Sequence, residues 1–292
     1  MIHDSVDKAK KGSGCPSQGG GQDDMAAKQK LEDQAIKNSL SKIKHKILVL
    51  SGKGGVGKSS VSANLAASLS KKGYKTGLMD VDVHGPSIGQ MLGLDELLDI
   101  SKETKLLIPK EINGNLKVVS VQALLQDKDQ AVIWRGPAKN GMIRQFVSSV
   151  EWGELDFLII DAPPGTGDEP LTVVQTIPEA QGVIVTTPQE VALADIRKSI
   201  SFCKTVRMKT LGIVENMSGF KCPHCGDHID LFSHGGGEKT ASAQGIPFLG
   251  SIPFDLNVVA SGDAGEPMMF NKDENEFTKA FDGVVENILK AV

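Results

Sequence analysis

The sequence predicts an α/β protein: a doubly wound, mostly parallel sheet with helices on both faces. Three observations carry that expectation. Short, continuously apolar runs recur along the chain, as strands covered on both faces require. Segments of helical period separate them, and such alternation favours parallel strands joined by right-handed crossovers. A glycine-rich turn, SGKGGVGKSS, joins the first apolar run to the first helical segment.

Residues 1–44 differ from the rest. They are rich in Gly, Lys, Asp, Gln and Ser, include GSGCPSQGGGQ and show almost no apolar periodicity. Such a stretch cannot bury enough surface to offset its ordering entropy, so a solvated, disordered tail is expected. Residues 45–292 then form one domain, with no linker-like stretch or internal repeat dividing it. Strands are expected at 47–50, 76–79, 116–121, 157–160, 183–186, 211–214 and 248–252. Val61, Leu65 and Leu69 recur every four residues in the first intervening helix. Phe277, Phe281, Val284, Ile288 and Leu289 make a similar stripe in the last one. Cys203, in the helical stretch 190–208, reads as a small buried hydrophobe, and His234 with glycines 235–237 as a tight loop before a helix, with no chemistry assigned.

Charge and composition exclude several classes. The chain has 32 Lys and Arg against 36 Asp and Glu, a net charge of −4. Through residue 46 there are 9 Lys against 6 acidic residues, which leaves 23 cations against 30 anions in the remainder. A net of −7 there opposes a nucleic-acid partner. No apolar run approaches the ~20 residues needed to span a bilayer. The start, MIHDSVDKAKKG, lacks the apolar core of a secretory signal. Four cysteines are too few for a disulfide scaffold in a chain this long. The expectation is a cytoplasmic protein with reduced thiols and neither a membrane nor a nucleic-acid partner.

The strongest motif is Gly52-Lys53-Gly54-Gly55-Val56-Gly57-Lys58-Ser59, which satisfies G-x-x-x-x-G-K-[ST] between an apolar strand and an amphipathic helix. Glycines let the backbone wrap a phosphate so that several N–H groups, on to Ser60, converge on it, and the helix adds its positive end. Lys58 would contact the β- and γ-phosphates, and the Ser59 hydroxyl would join a Mg²⁺ shell. Acidic residues must complete such a site. Asp161 follows four apolar residues and precedes Ala-Pro-Pro-Gly-Thr-Gly, whose Gly165 amide is placed to meet a γ-phosphate. Asp80 and Asp82 end another strand on the same edge, where Asp80 serves equally well as the cap of a following helix.

Cys222-Pro223-His224-Cys225 is the second motif. Its i, i+3 spacing puts two thiolates on one metal or cluster, and three readings compete. A redox couple would open a helix beside an early strand, whereas this pair lies late in a polar stretch. Zinc would need two further ligands, and His224 and His228 are near but not at the usual finger spacing. The third reading is an iron–sulfur cluster held by two cysteines from each of two chains.

SGKGGVGKSS resembles the deviant Walker A of the MinD/ParA/nitrogenase-iron-protein class, in which the early lysine, here Lys53, reaches a partner's nucleotide across a dimer interface. Together with DVDVHGPSIGQMLG, WRGPAKNGMIRQF, DFLIIDAPPGTGDEPLTV, VENMSGFKCPHCG, FSHGGGEKTA and FLGSIPFD, it makes the chain similar to the Mrp/ApbC family of iron–sulfur cluster carrier ATPases from Lys46 onward. The resemblance implies a P-loop NTPase fold of the deviant Walker A type and a homodimer that binds ATP and Mg²⁺. It further implies a [4Fe–4S] cluster shared at the subunit interface and delivered to apo iron–sulfur proteins. By residue, it implies that Lys58, Ser59 and the loop glycines hold phosphate and Mg²⁺. Lys53 acts in trans, Asp82 orients the attacking water and Asp161 is the Walker B aspartate. Asn216 contacts the base with the Pro253 segment, and Cys222 and Cys225 bridge the cluster. Cytosolic scaffold relatives of eukaryotes carry an N-terminal ferredoxin-like cysteine cluster, whereas this tail offers only Cys15, so the chain is placed with the shorter prokaryotic-type members. A MinD- or ParA-like positioning ATPase is the rival reading. It would want a cationic face on the terminal helix, which FTKAFDGVVENILKAV lacks, and it leaves the cysteines idle. A nucleotide-switched zinc-binding module is the third.

Overall fold

Alternate residues of the first strand, β1 (Ile43–Ser51), face opposite sides of a sheet: Ile47 and Val49 join the apolar core on one face, Leu48 and Leu50 the core on the other. That two-sided burial follows from the continuous apolar run, and each fully buried Ile or Leu contributes ~1.5–3 kcal/mol. The computed structural model describes residues 20–292 apart from 84, 95, 125–135, 223, 233–234 and 272. Before β1 comes α1 (Gly20–Leu40); after it come α2 (Lys58–Lys71), β2 (Thr76–Asp80), α3 (Ile88–Met91), β3 (Asp99–Ile100), β4 (Leu107–Ile108), β5 (Lys110–Ile112) and β6 (Leu116–Ser120). Next are α4 (Gly136–Ser148), β7 (Leu155–Asp161), α5 (Asp168–Thr176), β8 (Gln181–Thr186), α6 (Glu190–Thr205) and β9 (Thr210–Glu215). The chain ends with β10 (Phe220–Lys221), β11 (His228–Ile229), α7 (Gly236–Gln244), β12 (Phe248–Ser251), α8 (Leu256–Asp263) and α9 (Glu276–Ala291). No described helix is long and apolar enough to cross a membrane.

Eight strands form one sheet in the order β12-β9-β8-β1-β7-β2-β6-β5. Every neighbouring pair is parallel except β5 and β6. The seven strands expected from sequence are all present, and the sheet is the doubly wound, mostly parallel one expected. The five passed over are two or three residues long, too short to show a period, and four of them make two separate ribbons, β3–β4 and β10–β11. One core packs Ile143 and Phe146 of α4 and Ile196 of α6 on the sheet; the other packs Leu65 and Leu69 of α2 with Phe281 and Val284 of α9. Cys203 is buried among the first group, as expected, and burial pushes its thiol pKa up.

The tail expectation needs correction over residues 20–40, which form α1; residues 1–19, Cys15 included, lie outside the described residues. Ile36 of this helix is buried and Leu40 packs against the core. Arg144 of α4 donates to Glu32 Oε2 at 3.0 Å and to Asp33 Oδ1 at 2.6 Å. The helix therefore rests on contacts about a hundred residues away, and composition carries no trace of them.

After β7 the chain crosses over β1 to reach β8, so successive connections leave in opposite directions there. The carboxyl ends of β1, β7 and β2 meet beside that crossing point, which is where open α/β sheets bind ligands. Register pairs Val49 with Asp161 and Asp80 with Asp161, so both strand-end aspartates arrive at the edge where the glycine-rich loop begins.

Candidate functional site: a phosphate loop and a cysteine ribbon

The loop between β1 and α2 turns on Gly57, which caps the helix at φ 80°, a left-handed conformation that favours glycine. A Cβ there would also overlap Asn216 Nδ2, because the Asn216 amide donates to Val56 C=O at 2.9 Å. Two adjoining cavities of about 260 and 230 Å³ open on either side of Gly57 and Ser60. Lys53, Gly54, Gly55, Lys58, Ser59 and Asp82 line the first. Asn216, Pro253, Phe254 and Phe277 line the second. A cavity at a helix N-terminus lined by lysine, serine and aspartate, adjoining one lined by an asparagine and aromatic rings, suits the phosphates and the base of a nucleotide.

Buried carboxylates gather beside the loop. Lys58 Nζ lies 2.9 Å from Asp161 Oδ2 and 3.8 Å from Asp82 Oδ2. Ser59 Oγ donates to Asp161 Oδ2 and Ser62 Oγ to Asp161 Oδ1, both at 2.6 Å. Asp80 is not the cap of α3; that position belongs to Ser87. Its carboxylate instead accepts from Asp82 N–H at 3.0 Å and from Ser120 Oγ at 2.9 Å. Burial first, and the Asp161 charge second, push the Asp80 pKa up to about 7. Three buried carboxylates around one buried ammonium, with a serine hydroxyl among them, form a hard-oxygen donor set that fits Mg²⁺.

Two expected contacts are differently engaged in this single chain. The Gly165 N–H, expected to meet a γ-phosphate, donates to Ser51 C=O at 2.8 Å. Lys53 Nζ donates to Gln189 Oε1 at 3.0 Å, at the start of α6, rather than reaching outward. Sequence reasoning missed Ser62, Ser120 and Gln189. Ser62 could have been found, since it stands one helical turn after Lys58 on the same face. Ser120 and Gln189 carry no local signal, because only the sheet register brings them to the loop.

The cysteines lie apart from the sheet, on the turn joining β10 to β11. Cys222 N–H donates to Asp227 C=O and Gly226 N–H to Cys222 C=O, both at 2.9 Å, closing the turn. Backbone N–H groups at Cys225 and His224, and then the Cys225 thiol, lower the Cys222 pKa. The exposed Cys225 Sγ donates to Asp227 Oδ2 at 3.3 Å. His228 faces Asp230, with Nδ1 3.6 Å from Oδ1, and His234 lies outside the described residues. Among the described residues no group of three or more His, Cys, Asp or Glu side chains gathers to hold a metal ion.

A strand, a glycine-rich loop closing on a helix, and a strand-end aspartate beside the loop lysine and serine define a P-loop nucleotide-binding protein. The ParA family model described as NUBPL iron-transfer P-loop NTPase matches residues 42–289, and the chain belongs to that family. A protein of Methanococcus maripaludis named iron-sulfur cluster carrier protein is 48% identical over 281 residues, 94% of this chain and 97% of its own length. The cytosolic Fe-S cluster assembly factor CFD1 of Kluyveromyces lactis is 52% identical over 227 residues, 76% of this chain and 80% of its own. Of solved structures, a nucleotide-binding protein in complex with ADP from Archaeoglobus fulgidus matches with TM-score 0.71 and 42% identity, covering 84% of this chain and 98% of that one. MinD complexed with Mg-ADP from Pyrococcus horikoshii matches with TM-score 0.62 and 22% identity over 84% of this chain and 96% of that one, a likeness of fold alone.

Proposed function

We propose that the protein binds and hydrolyses ATP and carries an iron–sulfur cluster, its cargo, between two copies of the chain, passing it to apo-proteins in the cytoplasm. One observation carries the reading: Cys222 and Cys225 stand together on the turn of a ribbon outside the main sheet, with Cys225 exposed. Two thiolates leave a tetranuclear cluster half-ligated, and a two-fold axis supplies the matching pair. The relatives named iron-sulfur cluster carrier protein and cytosolic Fe-S cluster assembly factor support the same reading.

The residues divide the work as follows. Loop N–H groups from Gly52 to Ser60 cradle the phosphates, and Lys58 turns from Asp161 to the β- and γ-phosphates. Ser59, whose hydroxyl donates to Asp161, would hold Mg²⁺, which would supply charge neutralisation at the phosphates. Asp82 orients the attacking water. Gly165 leaves Ser51 to donate toward the γ-phosphate, and Lys53 leaves Gln189 to neutralise charge on the partner's nucleotide. Asn216, its amide fixed by Val56, turns its remaining oxygen to an adenine amino group, with Pro253 against the ring. Cys222 and Cys225 of both copies bind the cluster.

The deciding measurement is anaerobic reconstitution with iron and sulfide, followed by a count of Fe, S and Zn per dimer. About four irons and four sulfides per dimer are expected. Stoichiometric zinc without sulfide would replace this reading with the zinc-binding one.

A further inference from the structure

Residues 215–222 run without a break from the end of β9 to the first cysteine, so the base cavity and the cysteine turn hang on one strap. At its start Asn216 Nδ2 donates to Val56 C=O at 2.9 Å, fastening the strap to the phosphate loop. In the middle Ser218 N–H donates to Ile252 C=O at 2.9 Å and Phe254 N–H to Gly219 C=O at 2.8 Å, bracketing Pro253. Further on, the Phe220 ring meets Phe254 edge-on with centroids 5.9 Å apart, and Cys222 begins the closed cysteine turn.

Glu215 sits at the root of this strap, fully buried. Its Oε1 accepts from Ser218 Oγ at 2.7 Å and its Oε2 from Gly237 N–H at 2.6 Å, in the first turn of α7. A Cβ at Gly237 would come within 2.9 Å of Oε2, so the glycine there leaves room for the approach. The glycine run that opens α7, to which sequence assigned no chemistry, thus serves this contact. A buried carboxylate is costly unless hydrogen bonds replace its water, and an apolar residue would stabilise the same space more cheaply. A charged staple at that cost, on the segment that joins two sites, points to a positional task.

We infer that Glu215 is a positioning residue: through Ser218 it keeps the strap taut, so that a nucleotide in the base cavity alters the cysteine turn. The inference rests on the proposed function and names the path by which one site informs the other. Without the staple, residues 216–219 absorb any displacement of Asn216 and Pro253 locally. With it, the displacement passes along a chain crosslinked at Gly219 and Phe220 and arrives at Cys222. Glu215 and Ser218 line neither the phosphate cavity nor the base cavity, so ATP affinity is expected to change little without the staple.

The test uses the full chain, reduced and iron-free, and measures iodoacetamide alkylation of each thiol by peptide mass spectrometry with and without Mg-ATP. Buried Cys203 is the internal control. In the wild type the rate at Cys222 or Cys225 is expected to change about fivefold or more on adding nucleotide. Ser218→Ala and Glu215→Ala are expected to bring that ratio to about 1 while ATP affinity stays within about threefold. Glu215→Gln retains the response, because its amide oxygen can accept from Gly237 while its NH₂ donates to the Ser218 hydroxyl. If Glu215→Ala does not fold, Ser218→Ala, which removes one hydroxyl, still decides. A merely structural staple would lower the melting temperature of Ser218→Ala and leave the ratio at its wild-type value. That result, or a wild-type ratio of about 1, overturns the inference. Failure to bind a cluster is read separately from the iron and sulfide count and leaves this metal-free measurement standing.

Discussion

Lys58 neutralises buried carboxylates before any nucleotide arrives, and this changes what its substitution does. Lys58→Ala removes the proposed phosphate contact and also strips the cation from Asp161 and Asp82, which lie 2.9 and 3.8 Å away. Turnover of ATP is expected to fall by about 10²-fold or more. Urea unfolding of the nucleotide-free variant is expected to show a loss of about 3–5 kcal/mol, the cost of leaving a buried charge without its partner. Unchanged stability would mean that the carboxylates are already neutral. Asp80 gives the pH dependence. Its pKa is about 7 folded, against an ordinary 3.8, so between these values the folded chain holds a proton that the unfolded chain has released. Stability contributed by that proton is fully present below the ordinary value and is lost as pH rises through about 7. Nucleotide-free protein should lose about 1 kcal/mol per pH unit from pH 5 to about 7 and then level off. Asp80→Asn should flatten the slope, and a wild-type stability that rises over this interval would rule out the assignment.

Among the elements, α1 shows what a sequence hides and why. Of its larger apolar residues only Ile36 and Leu40 pack on the core while Met25 and Leu31 stay exposed, so no apolar stripe marks it, and its polar hold is the Arg144 fork on Glu32 and Asp33. Arg144→Ala should raise hydrogen exchange in residues 25–40 several-fold while leaving β1 protected, because a helix held by few buried contacts opens locally. Equal protection in both proteins would mean that packing by Ile36 suffices. The phosphate loop was legible for the opposite reason. Its glycines, Lys58 and Ser59 are contiguous, and Asp161 follows an apolar run that can only be a buried strand. Ser120, Gln189 and the Glu215–Gly237 approach were not legible, since each joins residues tens of positions apart and only the finished sheet sets their spacing.

At the scale of the whole molecule, the proposed function separates into two halves that can be tested apart. The phosphate loop grows out of the eight-stranded sheet, whereas the cysteines sit on a two-stranded ribbon with its own ladder. Cys222→Ala should therefore abolish retention of iron and sulfide after anaerobic reconstitution while ATP affinity stays within about threefold of wild type, as expected of sites without shared side chains. Simultaneous loss of both would make the pair part of the framework. Fold class and sheet direction were readable from apolar runs alternating with helical segments, but the placing of the cysteines outside the main ladder was not, since two-residue strands have no period to read.

That placing leaves the two thiols vulnerable. An acidified, partly accessible thiol at Cys222 beside an exposed second sulfur at Cys225 is what oxidants attack first. On the proposed function, bridging the two would close the cluster site while leaving the phosphate loop untouched, so the unloaded form would need a reducing environment as much as the cargo does.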